Sequence, residues 1–233
     1  MKYTNILITG ASRGIGYDAV LAFSKNPSCQ VFAISRNAEK LEQLKAHCGT
    51  DRVHILPFDL SEFDASALDA FLGSIKVVHI LVNNAGLLIN KSFEELSLQE
   101  WQTIFSVNLF GSVQLIKALL PKLEGAKPAH IVNIGSMGGV QGSSKFPGLS
   151  AYSASKAALA NLTECLAEEF KGRNIIVNCL ALGAIQTEML AEAFPGYKAP
   201  LDSETMASYL TWFALNGHKF HNGKIIPLAL STP

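Results

Sequence analysis

The chain has 233 residues, of which 48% are hydrophobic and 16% are charged, and 19 basic residues balance 19 acidic ones. This composition excludes intrinsic disorder, and a net charge of zero gives no support for binding to nucleic acid or to an anionic membrane. No apolar run reaches the roughly 20 residues that span a bilayer, and the start of the chain is typical of a strand, not of a signal peptide. Four dispersed cysteines without a Cys-x-x-Cys pair indicate a reducing cytoplasm.

Short apolar segments alternate along the chain with segments of helical periodicity. The spacing predicts strands over 5–9, 30–34, 52–58, 78–82, 130–134, 175–180 and 224–230. It predicts helices over 16–25, 38–47, 65–75, 98–123, 151–171 and 202–216. Most of the strands are almost continuously apolar, which indicates burial on both faces. We therefore predict an α/β fold in which residues 1–233 form a single domain, a doubly wound parallel sheet with helices on both faces.

Glycine-rich and polar segments follow the predicted strands, where ligands bind in a fold of this kind. The segment after the first strand holds Gly10, Gly14 and Gly16. Glycine at such a turn lets the backbone approach a pyrophosphate, and the next helix offers free N–H groups to its charge. The triplet alone also fits an ordinary tight turn, but its position favours a dinucleotide site.

Five motifs in a fixed order resemble those of a known family. TGASRGIG, NNAG, an asparagine in SVNLFG, a serine after IVNIG, and YSASK occur in that order. From residue 5 to about residue 187, the chain resembles the short-chain dehydrogenase/reductase family. The resemblance implies a Rossmann fold and an oxidoreductase that moves a hydride between a nicotinamide cofactor and a carbonyl or alcohol substrate.

Four residues match the catalytic positions of that family. Tyr152 and Lys156 lie four apart on a predicted helix and therefore share one face. A phenol with a pKa of about 10 is a poor acid–base at neutral pH, and we expect the ammonium and an oxidised nicotinamide to lower that pKa. The resemblance implies that Ser136 hydrogen-bonds the substrate carbonyl and the tyrosine hydroxyl. It also implies that Asn108 kinks its helix and holds a water linking Lys156 to solvent.

The residues after the second strand bear on which nicotinamide cofactor binds. An acidic residue there would bind the ribose 2′-hydroxyl of NAD and repel a 2′-phosphate. Ser35 and Arg36 occupy this place instead, and Arg13 lies in the glycine loop, so the sequence predicts NADP(H). The other predicted cofactor contacts are Ser12, Ile15, Asp59, Leu60, Asn83, Ala85, Gly86, Tyr152, Lys156, Gly183 and Thr187.

Some of these assignments have alternatives or depart from the family. Asn83 could equally brace the sheet without touching the cofactor. Gly183 and Thr187 resemble a Pro-Gly-x-x-x-Thr segment whose threonine binds the nicotinamide carboxamide, but Leu182 replaces the proline. The six histidines have no metal-ligand spacing, and we predict no metal site.

Apolar side chains near the expected site suit a hydrophobic ketone, aldehyde or acyl thioester. A 3-oxoacyl reductase and a broad carbonyl reductase are both open at this point. A non-catalytic NADP-binding sensor or scaffold is the alternative from another class, and it could lose Tyr152 or Lys156 while keeping the glycine loop. The candidate pocket residues are Leu87, Leu88, Met137, Phe146, Met189, Leu190 and Phe194.

The two longest predicted helices, 98–123 and 151–171, carry more apolar residues than one sheet-facing stripe requires. The resemblance implies that these helices pair with their mates across a two-fold axis, so we expect a homodimer. A homotetramer would in addition use the segment 224–230, and KIIPLALSTP lacks the glycine pair that often closes the last strand of the family.

Overall fold

The computed structural model describes residues 3–73 and 75–230, and parallel strands form its centre. The strands are β1 (Thr4–Thr9), β2 (Cys29–Ser35), β3 (Val53–Pro57), β4 (Ile80–Asn83), β5 (Ala129–Ser136), β6 (Ile175–Leu182), β7 (Ile185–Gln186), β8 (Leu201–Asp202) and β9 (Ile225–Leu228). A seven-stranded sheet has the order β3-β2-β1-β4-β5-β6-β9, and β7 pairs with β8 separately. The strand order reverses between β1 and β4, which opens a crevice at the carboxyl ends of these strands.

Helices connect successive strands and cover the sheet. They are α1 (Gly14–Ser24), α2 (Ala38–Cys48), α3 (Ala65–Leu72), α4 (Leu98–Phe105), α5 (Gly111–Glu124), α6 (Ser150–Glu169), α7 (Glu188–Ala193) and α8 (Ser203–Asn216). A π-helical turn, Ser106–Phe110, joins α4 directly to α5.

The two faces of the sheet are covered by different helices. Ile6 and Ile8 of β1 belong to a buried cluster with side chains of α1, α2 and α8. Leu7, which lies between them, belongs to a second cluster with side chains of α3 and α5. The alternation follows from the two-residue period of a strand. The predicted doubly wound sheet with helices on both faces is therefore confirmed.

Each predicted strand and helix is present, and the ends differ from the prediction by at most three residues. The helix predicted over 65–75 ends at Leu72 because Gly73 follows with a positive φ of 50°. Ser74, inside that predicted helix, lies outside the described residues, as do residues 1–2 and 231–233. The sequence did not predict α7, β7 or β8, because such short elements contain too few residues to show a period.

The continuous helical segment Leu98–Glu124 is long and apolar enough to cross a membrane by length and composition alone. Its composition has another explanation within the fold. Leu115, Ile116 and Leu119 of α5 are almost completely buried in the second cluster against the sheet. The apolar character of this segment therefore matches that of a helix packed in a protein core.

Candidate active site

The turn between β1 and α1 packs directly against the residues that follow β4. Gly10 and Gly14 have positive φ values of 68° and 56°, which glycine adopts without steric cost. A Cβ atom on Gly10 would lie 2.8 Å from the Cα atom of Ala85, and one on Gly16 would collide with the side chain of Asn84. The close packing against the residues after β4 therefore requires glycine at these positions. The same glycines also suit the approach of a pyrophosphate.

Thr9 and Asn84 hold the two loops together. The Thr9 hydroxyl accepts hydrogen bonds from the backbone N–H groups of Asn84 and Ala85, at 3.0 and 2.8 Å. The Asn84 side chain donates to the carbonyl of Thr9 at 2.9 Å. Neither residue was predicted to have a role. The available signal was the position of Asn84, directly after the last residue of a buried strand.

Two residues predicted to contact the cofactor do not line the crevice. Asn83 is buried in the sheet, where its side chain donates to Asn133 Oδ1 at 2.8 Å, and this position favours the alternative that it braces the sheet. Gly16 is buried between α1 and the loop, where it permits close packing and does not face the crevice.

The remaining predicted cofactor residues converge on one cleft at the carboxyl ends of the strands. Asn84 and Glu188 also lie in its wall, although neither was predicted to contact the cofactor. The predicted residues that line it, Ser136 included, are Gly10, Ser12, Arg13, Gly14, Ile15, Ser35, Arg36, Asp59, Leu60, Ala85, Gly86, Ser136, Tyr152, Lys156, Gly183 and Thr187.

Strand β5 and helix α6 bring the predicted catalytic side chains together. Ser136 ends β5, and it lines the same cleft as Tyr152 of α6. Lys156 lies one helical turn beyond Tyr152 and is buried, with Nζ 5.9 Å from the centroid of the tyrosine ring. The lysine Nζ donates to the carbonyl of Ile134 at 2.8 Å. Three of the four predicted catalytic side chains therefore share one region of the cleft.

Burial changes the acid–base properties of this pair. Loss of solvation lowers the pKa of Lys156 to about 8, against a smaller opposing effect of Cys179. Loss of solvation also raises the pKa of the Tyr152 phenol, and the Ser136 side chain opposes the rise. In the chain by itself the pKa of the phenol is thus raised, because its desolvation outweighs the effect of Ser136. The lowering expected from the ammonium together with an oxidised nicotinamide stays a prediction. A neutral phenol at neutral pH is the form that can donate a proton.

Asn108 lies at the centre of the π-helical turn and is completely buried. Its side-chain amide donates to the carbonyl of Leu87 at 3.0 Å and to Ser155 Oγ at 2.9 Å, and its Oδ1 accepts from Leu87 N–H at 2.7 Å. A Cβ atom on Gly86 would lie 3.6 Å from Lys156 Nζ and 3.7 Å from Asn108 Oδ1, so the two groups flank this glycine. The interruption expected at Asn108 thus takes the form of a π-helical turn, while its water link stays a prediction.

The cleft has a basic end and an apolar end. At the basic end, Ser35 Oγ donates to Ser12 Oγ at 2.8 Å beside Arg13 and Arg36. Six of the seven predicted substrate-pocket residues line the apolar end: Leu88, Met137, Phe146, Met189, Leu190 and Phe194. The seventh, Leu87, packs against a small buried cluster with Ile104.

The geometry fits a dinucleotide cofactor. Positive-φ glycines shape a cradle before α1, guanidinium groups lie at one end of the cleft, and Tyr152 and Lys156 lie in the same cleft. Among the described residues, no group of three or more His, Cys, Asp or Glu side chains could hold a metal ion.

Comparison with known proteins identifies similar sequences. A family model described as short chain dehydrogenase matches residues 4–198. Nodulation protein G of Rhizobium sp. (strain N33) is 38% identical over 185 residues, which cover 78% of this chain and 74% of that protein. The 3-oxoacyl-(acyl-carrier-protein) reductase FabG of Chlamydia muridarum is 31% identical over 188 residues, which cover 78% of this chain and 74% of that protein.

Solved structures share the fold over nearly the whole chain. The 3-ketoacyl-(acyl-carrier-protein) reductase from Brucella melitensis, complexed with NADH, has a TM-score of 0.87, covers 97% of both chains and is 24% identical, which supports the fold alone. ElxO with NADP bound has a TM-score of 0.84 and 25% identity, again over 97% of both chains.

The contact between Thr9 and the loop after β4 can be tested by an isosteric change. Thr9→Val should lower the free energy of unfolding by about 1–2 kcal/mol, because the partly buried Ala85 N–H loses its acceptor and Asn84 N–H keeps only the carbonyl of Val82. Thr211→Val is the matched control, since the buried Thr211 hydroxyl has no hydrogen-bond partner in the described part of the chain. Urea denaturation measures both changes. Equal losses in the two variants would contradict the assignment.

Proposed function

Because this chain belongs to the short-chain dehydrogenase family, we propose that it reduces the carbonyl of a small hydrophobic molecule with NADPH, or catalyses the reverse reaction. Membership makes it an oxidoreductase that interconverts alcohol and carbonyl groups with a nicotinamide dinucleotide. The observation that carries the proposal is the convergence of Ser136, Tyr152 and Lys156 beside the apolar end of the cleft.

Each side chain receives a role from its surroundings. When bound, the nicotinamide cofactor supplies the hydride for the carbonyl carbon. Ser136 orients the carbonyl oxygen by hydrogen bonding, and Tyr152 donates a proton to that oxygen from its neutral phenol. Lys156 holds ribose hydroxyls and favours the phenolate left after proton transfer. Asn108, whose Oδ1 lies beside Gly86 as the ammonium does, positions a water that returns protons from solvent.

The remaining cofactor contacts follow from the lining of the cleft. The glycine loop and the first turn of α1 hold the pyrophosphate, and Thr187 binds the nicotinamide carboxamide. Ser35, Arg36 and Arg13 bind a 2′-phosphate, because cations and a hydroxyl lie at the basic end and no carboxylate follows β2. ElxO, a structural relative, has NADP bound, whereas another relative has NADH.

The substrate class follows from the apolar end of the cleft. Phe146 and Phe194 approach edge to face, with ring centroids 6.4 Å apart. Such a wall suits an acyl chain or another apolar group beside the reacting carbonyl. The name of the Chlamydia muridarum relative favours a 3-oxoacyl thioester, and a broad carbonyl reductase is the second candidate that the same wall supports. The filled catalytic positions disfavour a non-catalytic sensor or scaffold.

We also propose that the protein is a single-domain cytoplasmic homodimer. Apolar side chains, Phe93, Leu98 and Phe110, are exposed in and before the helical segment Leu98–Glu124. The rings of Trp101 and Phe105 connect Phe93 to Phe110 through a series of aromatic contacts. Exposed apolar surface of this kind favours association, and a two-fold pair is the simplest closed solution. A tetramer would in addition use the last strand, β9, which follows the exposed Phe220 in the chain.

Tyr152→Phe should lower turnover with NADPH by about a thousandfold, because the phenol supplies the proton. The dissociation constant for NADPH should stay within about a factor of two, since the hydroxyl contributes little to cofactor binding. Lys156→Ala should lower turnover and also weaken NADPH binding. Tyr209→Phe, which removes a hydroxyl outside the cleft, is the control. Steady-state kinetics on a panel of carbonyl substrates and fluorescence titration provide the measurements. Full activity in Tyr152→Phe would remove the assignment.

NADPH should be used at least about tenfold more efficiently than NADH, because a charge-assisted phosphate contact contributes about 1.5–3 kcal/mol. Arg36→Ala should lower kcat/KM for NADPH by about tenfold and leave NADH nearly unaffected. Arg173→Ala, which removes an arginine paired with Glu124 away from the cleft, should change neither value. Equal efficiency with both cofactors in the wild-type protein would contradict the preference.

Light scattering at micromolar concentration should give at least twice the 25.1 kDa mass of one chain. Leu98→Glu places a charge on the exposed start of α4 and should shift the protein toward monomer. Phe220→Glu, on another exposed surface, should keep the dimer but dissociate any tetramer. A wild-type protein that stays monomeric at this concentration excludes the proposed assembly.

A further inference from the structure

A carboxylate from α7 lies between two cations at the basic end of the cleft. Glu188 is 3.4 Å from the guanidinium of Arg13, in the glycine loop, and 3.2 Å from the ammonium of Lys40, in the first turn of α2. Glu192, one helical turn further along α7, is 2.8 Å from the same guanidinium. Helix α7 is thus joined by ion pairs to the segments that follow both β1 and β2.

The cations held by α7 belong to the region proposed for the 2′-phosphate. Arg13, Arg36 and Glu188 line the same cleft, and Lys40 reaches this corner from the helix that follows Arg36. Hydrogen bonding from Lys40 lowers the pKa of Glu188, so its carboxylate is ionised at neutral pH. An anion of the protein itself therefore contacts the cations that a phosphate would need.

The geometry points to a competition between this carboxylate and the cofactor. We propose that Glu188 and Glu192 are specificity-determining residues that the 2′-phosphate displaces from Arg13 and Lys40, and that Lys40 is a further phosphate-binding residue. This inference rests on the proposed NADP(H) function. NADH, which has no 2′-phosphate, would bind without breaking these contacts.

The physical chemistry makes such an exchange feasible. The four side chains are all more than a third exposed, and exposed ion pairs are individually weak. A phosphate carries up to two negative charges and three acceptor oxygens, so it can satisfy an arginine and a lysine better than single carboxylates do. The apparent affinity for NADPH is the intrinsic affinity multiplied by the fraction of molecules in which the carboxylates have released the cations.

The exchange has a consequence at the other end of the cleft. Met189 and Leu190, which directly follow Glu188, line the apolar pocket. Thr187 caps α7, since its hydroxyl accepts from Leu190 N–H at 3.2 Å. Displacement of Glu188 and Glu192 would therefore remove the ion pairs that join α7 to the glycine loop and to α2, while Asn90 would still hold its C-terminal end. Through α7, binding of a 2′-phosphate is linked to part of the substrate wall.

The test measures the dissociation constants of the full chain for NADPH and NADH by fluorescence titration. The double variant Glu188→Gln/Glu192→Gln should bind NADPH about three- to tenfold more tightly and NADH within about a factor of two of wild type. Lys40→Gln should weaken NADPH binding by a similar factor and leave NADH unaffected. Glu168→Gln is the matched control, because it removes a glutamate carboxylate from an exposed ion pair with Lys171.

Two outcomes would overturn the inference. Weaker NADPH binding in the double variant would show that the glutamates position Arg13 for the phosphate. An equal or absent change for both cofactors would show that no competition for the phosphate occurs. The proposed function has its own test: it would be contradicted if the wild-type protein showed no preference for NADPH or no reductase turnover. Neither result depends on how the glutamate variants behave.

Discussion

One buried ammonium group, that of Lys156, constrains the arrangement of the site. Only 3% of this residue is exposed, and a charge removed from water is costly unless hydrogen bonds replace its hydration. The carbonyl of Ile134 provides one such bond. Strand β5 and helix α6 must therefore stay in close register. A Cβ atom on Gly139, in the turn after β5, would lie 2.7 Å from Ala157 N, which shows how tightly that turn lies against the helix.

The positions of Ser136 and Tyr152 follow from the same contact, because each lies close in the chain to a part that Lys156 fixes. Asn108 reaches the region from another element, through three hydrogen bonds to Leu87 and Ser155. The site thus depends on a few buried polar contacts between rigid elements, which is the arrangement that holds reacting groups in place without flexible loops.

The sequence was sufficient to predict the parallel sheet and the helices that cover it. The strands are apolar on both faces, and most of the helices are long enough to show a helical period. It also located most of the cleft, since the family motifs lie directly after strands. It could not distinguish Asn83 from Asn84, because adjacent residues at a strand end point to opposite sides and the register decides which one faces the loop. The raised pKa of Tyr152 and the ion pairs of Arg13 depend on burial and on a distant short helix, neither of which a local pattern contains.

A net charge of zero conceals a local separation of charge. Arg13, Arg36 and Lys40 lie at one corner of the structure, and the acidic residues of α7 lie beside them. The overall charge gave no support for a large anionic partner, and it carried no information about whether a small anionic group could bind at one corner.

The π-helical turn between α4 and α5 has an evolutionary consequence. A π turn corresponds to one extra residue inserted into an α-helix. Deletion of one residue from Ser106–Phe110 would restore regular winding and rotate α4 by about 100° relative to α5. Ile104 would then leave its buried cluster, or Asn108 would leave Leu87. Descendants of this sequence can exchange many side chains along the segment, but they cannot easily change its length by one.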